Sequence, residues 1–222
     1  MTALLEQLKI CVERGKINKM SPYPPDLKDQ DGADELAAAA VKQGLPPEDI
    51  LQKSLVVGMS NIGKKFSEGK AFVPEMLMAA KAMKAAMVHL EPFFKSGAVK
   101  AKGTVVLGTV QGDLHDIGKN LVAMMVEGAG WKVVDLGVDV GPDKFKSALS
   151  DHPDGIIGLS ALLTTTMVNM KGIVEQLKAE NPNRVIMVGG APLTQEYCSE
   201  IGADFYSPDP QGAIDYLNSL TT

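Results

Sequence analysis

From Thr104 onward the chain alternates short apolar runs with helical stretches, and this alternation limits the fold more than any other feature of the sequence. Runs of strand length occur at Thr104–Val110, Lys132–Leu136, Gly155–Leu159, Val185–Val188 and Asp204–Tyr206. Helical patterns separate and follow them at Ile117–Gly128, Pro142–Leu149, Met167–Glu180, Thr194–Ile201 and Gln211–Leu220. Such alternation winds a parallel sheet through right-handed crossovers, giving an α/β domain. Five strands fit the flavodoxin-like, Rossmann-like doubly wound order. Ligands of such sheets sit beyond the carboxyl ends of the strands, near the point where strand order reverses. The loops at those ends are therefore where function is expected.

The residues before this region follow a different pattern. From Thr2 to about Ser96 the apolar spacing is helical throughout: Leu4, Leu5, Leu8, Cys11 and Val12 share one face of a first helix. A second is expected near Gly32–Gln43. A third starts after Pro46-Pro47 and ends near Ser67-Glu68-Gly69, and a fourth runs from Pro74-Glu75 to Phe93. Four helices with short connections make a small bundle. The small, polar stretch Ser96–Gly103 reads as a linker, so the expected limits are a helical domain at 1–96, a linker at 97–103 and an α/β domain at 104–222.

Composition narrows the function classes. The formal net charge is −5, without a long basic run, so a nucleic-acid partner is not expected. No segment approaches the roughly 20 apolar residues of a membrane span, and the first residues do not read as a secretion signal. The 2 cysteines, Cys11 and Cys198, form neither a disulfide framework nor a zinc cluster and read as buried thiols. The expected location is the cytoplasm.

The loop after the first strand concentrates the chemistry: Gly112-Asp113-Leu114-His115-Asp116-Ile117-Gly118-Lys119-Asn120. A phosphate loop would need four residues between its glycines and Ser or Thr after the lysine. Here five intervene, and Asn120 follows. A metal hydrolase would need three or four protein ligands, but the chain has 3 histidines in all, and His89 and His152 read as surface groups. A plain loop histidine is the remaining alternative. Against it stands Asp113, two residues before His115 and well placed to accept a hydrogen bond from one ring nitrogen. Such a partner fixes the tautomer and makes the other nitrogen a better metal ligand.

Asp113-x-His115-x-x-Gly118 resembles the D-x-H-x-x-G signature of proteins that bind cobalamin with its dimethylbenzimidazole tail displaced. Ser160-Ala161-Leu162, at the end of the third strand, is similar to that family's S-x-L. Gly189-Gly190, at the end of the fourth, is similar to its G-G. The segment Phe66–Met76 resembles the junction between two cap helices in cobalamin-dependent methionine synthase and in small corrinoid proteins of methyltransferase systems.

The resemblance implies a cobalamin site, with methylcobalamin or a related corrinoid as cofactor and His115 as the ligand of its cobalt. Asp113, Asp116, Ile117 and Gly118 would surround that ligand. Ser160, Leu162, Thr164, Gly189, Gly190 and Ala191 would form a narrow slot for the displaced tail, since small residues allow close approach. Thr166 stands where the best-known methyl carriers have a serine that holds the aspartate, so the hydroxyl is kept and a methyl group is added. Phe66, Val73 and Met76 would cover the upper face of the corrin.

The implied role is that of a non-catalytic methyl carrier. Its partners would be a donor-specific methyltransferase, an acceptor methyltransferase using tetrahydrofolate or a thiol, and a reductive activase. Two alternatives share parts of this pattern. A cobalamin-dependent regulator would add a DNA-binding helix-turn-helix, and the small subunit of an adenosylcobalamin mutase normally lacks the helical cap.

Overall fold

The computed structural model describes residues 2–221 and divides them into two compact units, with the main boundary between Ala101 and Lys102 and with Gly128–Gly130 grouped with the first unit. Among the described residues no helix is long and apolar enough to cross a membrane.

The first unit is helical. Helix α1 (Ala3–Glu13) begins where the Thr2 hydroxyl accepts the Leu5 N–H, and it buries Leu5, Leu8, Cys11 and Val12. Helix α2 (Ala33–Lys42) starts with the Gly32 N–H held by the Glu35 carboxylate at 2.9 Å. The expected third helix is present but not uniform. A short α3 (Pro47–Ile50) passes through a wider π-type turn, Leu51–Leu55, before α4 (Val56–Ser67). Within that turn the buried Ser54 hydroxyl donates to the Ile50 carbonyl, competing with the regular ladder. Helix α5 (Val73–Val88) stops short of the expected Phe93, and a separate one-turn helix, α6 (Glu91–Lys95), follows. Pro92 explains the break, because it has no N–H for the Val88 carbonyl and its ring would press on that oxygen. Helix α1 packs on α2, α4 and α5, while α5 also meets α2 and α4, which makes the four-helix core. Gly58 brings α4 close to α1, since a Cβ there would lie 2.7 Å from the Lys9 carbonyl oxygen.

The second unit is the expected doubly wound domain. Strands β1 (Thr104–Thr109), β2 (Lys132–Asp135), β3 (Ile156–Ser160), β4 (Ile186–Gly189) and β5 (Phe205–Tyr206) form one parallel sheet in the order β2-β1-β3-β4-β5. Its connecting helices are α7 (Ile117–Gly128), α8 (Pro142–Asp151), α9 (Thr164–Glu180), α10 (Gln195–Glu200) and α11 (Pro210–Ser219). Val106, Ile157 and Ile186 of the sheet pack in one core with Phe145 of α8 and Met170, Ile173 and Leu177 of α9. The order reverses between β1 and β3, so the loop after β1 lies at the switch point where such folds bind ligands.

Candidate functional site

Three sequence motifs end on one row of the sheet. Thr109 of β1 is paired with Ser160 of β3, and Ser160 with Gly189 of β4, so the carboxyl ends of three neighbouring strands line up. The chain leaves β1 through Val110 and Gln111, turns at Gly112 with φ 85°, and enters α7 at Ile117. The buried Thr109 hydroxyl donates to the His115 carbonyl at 2.9 Å, drawing the loop back over the end of its own strand.

Asp113 is the junction of the site. Its side chain is fully buried, yet every direction is satisfied. One oxygen, Oδ1, faces His115 Nδ1 at 2.8 Å and accepts the His115 backbone N–H at 3.1 Å. The other, Oδ2, accepts the Leu162 and Leu163 N–H groups at 2.8 and 3.2 Å and the Thr166 hydroxyl at 2.7 Å. Burial works against the charge, but the Leu162 and His115 backbone donors, the Thr166 hydroxyl and the His115 ring outweigh it. They hold the Asp113 carboxyl well below the usual carboxylate range. A carboxylate kept ionised only accepts, so His115 Nδ1 donates this bond, and in the neutral imidazole Nε2 is then the nitrogen with the lone pair. Among the described residues Nε2 has no partner, and half of the His115 side chain, 51%, is exposed.

The rest of the expected site divides into several environments. Asp116 is exposed and holds Asn120 at the start of α7, with its Oδ2 accepting the Asn120 amide at 3.0 Å. Ile117 and Leu114 flank His115 as exposed apolar side chains, and Leu162 and Leu163 are exposed at the start of α9. At Gly118 and Gly189 an added Cβ would meet nothing within 4 Å, so the chain's own packing does not call for glycine there. The half-buried Ser160 hydroxyl has no protein partner among the described residues. Thr164 and Ala191 are exposed at neighbouring strand ends.

Gly190 corrects the expectation that it is small merely to leave room for a ligand. Its φ is 136°, and an added Cβ would lie 1.8 Å from the Ala161 carbonyl oxygen, so the backbone itself demands glycine. Helix α9 also starts at Thr164, earlier than the expected Met167. The residue before it, Leu163, offers no capping side chain, and the Asp113 carboxylate stands at this helix start from another loop, accepting the Leu162 and Leu163 N–H groups just before the helix and the Thr166 hydroxyl within its first turn.

In the helical unit, Val73 is exposed, Phe66 half-buried and Met76 fully buried. Phe72, which the sequence reading passed over, is more exposed than any of them at 67%. Also missed were Lys119, Asp135 and Asp139, which tie the loop to the segment after β2. Only Lys119 carried a signal, as part of a rejected phosphate-loop pattern. His89 and His152 are half-buried rather than at the surface, and His89 pairs with Asp34 at 2.6 Å. Cys11 and Cys198 are buried as expected. Burial pushes the Cys11 thiol up to about 11, which keeps it protonated and unreactive.

Among the described residues no group of 3 or more His, Cys, Asp or Glu side chains could hold a metal ion by itself. A corrinoid carries most of its cobalt's ligands with it, so what the protein must offer is one further ligand and room for the cofactor. His115 offers one free lone pair, the adjacent exposed surface is apolar, and Ser160 and Gly189 leave an unpartnered hydroxyl and open space on the same row.

Comparison with known proteins agrees. Two B12 binding domain families match the chain, one over residues 103–214 and the other over residues 29–91. A corrinoid protein of Desulfitobacterium hafniense is 41% identical over 197 residues, spanning 86% of this chain and 91% of that protein. The trimethylamine corrinoid protein of Methanosarcina barkeri is 40% identical over 190 residues, 84% of this chain and 88% of its own length. Among solved structures, the methanol:cobalamin methyltransferase complex of Methanosarcina barkeri superposes with a TM-score of 0.80 at 29% identity, covering 98% of this chain and 79% of the matched one. A cobalamin-binding protein from Desulfitobacterium hafniense gives 0.75 at 28% identity, covering 99% and 98%. With a B12-binding match in each unit and such relatives along most of its length, the chain belongs to the corrinoid (B12-binding) proteins of methyltransferase systems.

Proposed function

We propose that the chain is a methyl carrier that binds its corrinoid with the benzimidazole tail displaced and His115 on the cobalt. The observation that carries this reading is the Asp113–His115 pair, which holds the proton on Nδ1 and leaves Nε2 free. When bound, the corrinoid supplies a metal that can take up and release a methyl group, which no side chain of the protein can do. The protein's own residues bind and orient. Asp113, fixed by Thr166 and the start of α9, keeps the imidazole in one tautomer. Ser160, Thr164, Gly189 and Ala191 are assigned to the displaced tail, with Gly190 shaping the backbone of that slot. Leu162, Ile117, Gly118 and Asp116 border the histidine. Phe66 and Val73 are assigned to the upper face of the corrin, where apolar cover excludes water, while Met76, fully buried, belongs to the core of the helical unit and would act only by supporting them.

A carrier needs enzymes on both sides. The partners are a donor-specific methyltransferase, as the names of the relatives suggest, an acceptor methyltransferase working on tetrahydrofolate or a thiol, and a reductive activase, all in the cytoplasm. The helical unit favours this role over that of a mutase small subunit, and the negative net charge favours it over a DNA-binding regulator.

Electron paramagnetic resonance of the Co(II) form, with histidine labelled by ¹⁵N, tests the ligand. Coupling to the labelled nitrogen is expected in the wild type and absent from His115→Ala. Coupling that persists unchanged in the variant refutes the assignment. Methyl transfer from trimethylamine, dimethylamine and methanol, each with its cognate methyltransferase, identifies the donor.

A further inference from the structure

The loop that carries His115 is held at both ends by one short segment, residues 135–140, which begins at the last residue of the edge strand β2. At the near end, Asp139 accepts the Gly112 N–H on Oδ1 at 2.8 Å, and its own N–H donates to the Asp113 carbonyl at 3.0 Å. At the far end, the Lys119 ammonium meets both Asp135 oxygens, at 2.7 and 2.6 Å, and also the Asn120 side-chain oxygen at 2.7 Å. Lys119 is in the first turn of α7 and only 4% exposed. The segment is braced in turn, since Asp135 accepts the Gly137 N–H and Thr109 donates its N–H to the Gly137 carbonyl. Between the two anchored ends, Leu114, His115 and Ile117 project as exposed side chains.

Asp139 stands out because nothing in the core requires it. It is exposed and sits at φ 55°, in the left-handed region that side chains other than those of Asn and Asp seldom adopt. Residues held in that region cluster where surrounding structure demands a particular geometry. Here the geometry obtained is a reciprocal clasp on the Gly112–Asp113 backbone, immediately before the carboxylate that aims His115.

We infer that Asp139, together with the Asp135–Lys119 pair, positions His115 for cobalt by fixing the two ends of its loop. These are positioning residues, and the inference rests on the reading of His115 as the ligand. Glycine at 139 keeps the left-handed backbone and removes the acceptor, while asparagine keeps both. Methionine at 119 keeps the length and burial of lysine without its charge, and Asp135, partly exposed, is left accessible to water.

The full chain is titrated with hydroxocobalamin, and urea unfolding is followed in parallel. Asp139→Gly and Lys119→Met are expected to weaken binding about 10- to 100-fold, as loss of a group supporting a metal ligand does. Asp139→Asn is expected to bind as the wild type does, and the unfolding midpoint of Asp139→Gly is expected to stay in place. Repeating the substitutions in His115→Ala separates positioning from structure, because a residue acting through His115 adds nothing once the imidazole is gone. Without cofactor, the ¹⁵N resonances of the His115 ring are expected to move from the Nδ1–H form toward a tautomer mixture in Asp139→Gly. Wild-type affinity in both Asp139→Gly and Lys119→Met overturns the inference, as does an equal loss in the His115→Ala background. If His115→Ala alone binds with wild-type affinity and spectrum, the ligand reading itself fails and the inference falls with it.

Discussion

Substitution at Gly190 puts a methyl group against the Ala161 carbonyl in a backbone conformation that disfavours any side chain. Gly190→Ala is therefore expected to destabilise the protein by roughly 2–5 kcal/mol, combining left-handed strain with overpacking. Its neighbour answers to a different constraint. Gly189→Leu enters open space, so the urea midpoint is expected to change by no more than about 0.5 kcal/mol in stability, while cobalamin affinity falls. Calorimetric titration of both variants checks this, and undiminished cobalamin binding by a folded Gly189→Leu protein removes β4 from the proposed tail slot. The two glycines are indistinguishable as letters. Their difference arises from the path of the β3 end, which brings the Ala161 carbonyl against one of them and not the other. Asp113 and His115 were legible because their partnership is local, two residues apart. Asp139 was not, because its bonds to Gly112 and Asp113 cross from one loop to another.

Elements show the same division between local and distant causes. The starts of α7 and α8 agree with the sequence expectation, since Asp116 and Pro142 mark them within a few residues of chain. Helix α9 begins at a turn that Asp113, a partner far away in sequence, holds through the Leu162 and Leu163 N–H groups and the Thr166 hydroxyl. The break after α5 was available in Pro92, although the helical pattern was expected to continue to Phe93. The π-type turn at Leu51–Leu55 had no local signal. Because the Thr166 hydroxyl joins α9 to Asp113, Thr166→Val is expected to cost about 1.5–3 kcal/mol, the range for a hydrogen bond to a charged group. Thr166→Ser keeps the donor and is expected to unfold close to the wild-type midpoint. Urea unfolding of the two variants side by side checks this, and equal midpoints for valine and serine refute it.

At the scale of the whole molecule, alternating strand and helix patterns were enough to anticipate a five-stranded parallel sheet preceded by helices. The strand order is that of the flavodoxin-like doubly wound fold, to which five alternating strands were fitted, and no single residue sets it. If the protein carries a methyl group between two enzymes, its site must be presented to each in turn, and the small residues around Ser96–Gly103 suit a moving tether. Deleting three residues from 97–103 is expected to leave cobalamin affinity unchanged and to slow transfer to the partner enzymes several-fold. Stopped-flow measurement of demethylation with the acceptor methyltransferase reads this directly, and an unchanged rate removes the tether from the cycle.

The alignment of Thr109, Ser160 and Gly189 on one row has a metric consequence. Parallel strands stand about 4.8 Å apart, so two steps across the sheet span about 10 Å. Backbone hydrogen bonds set that distance, and no side-chain change alters it. The row acts as a ruler laid between the histidine end and the glycine end. A molecule gripped at both must be long enough to bridge it, and a shorter one is held at one end only. If the displaced tail lies along this row as proposed, the sheet sorts ligands by reach before any side chain reads their chemistry.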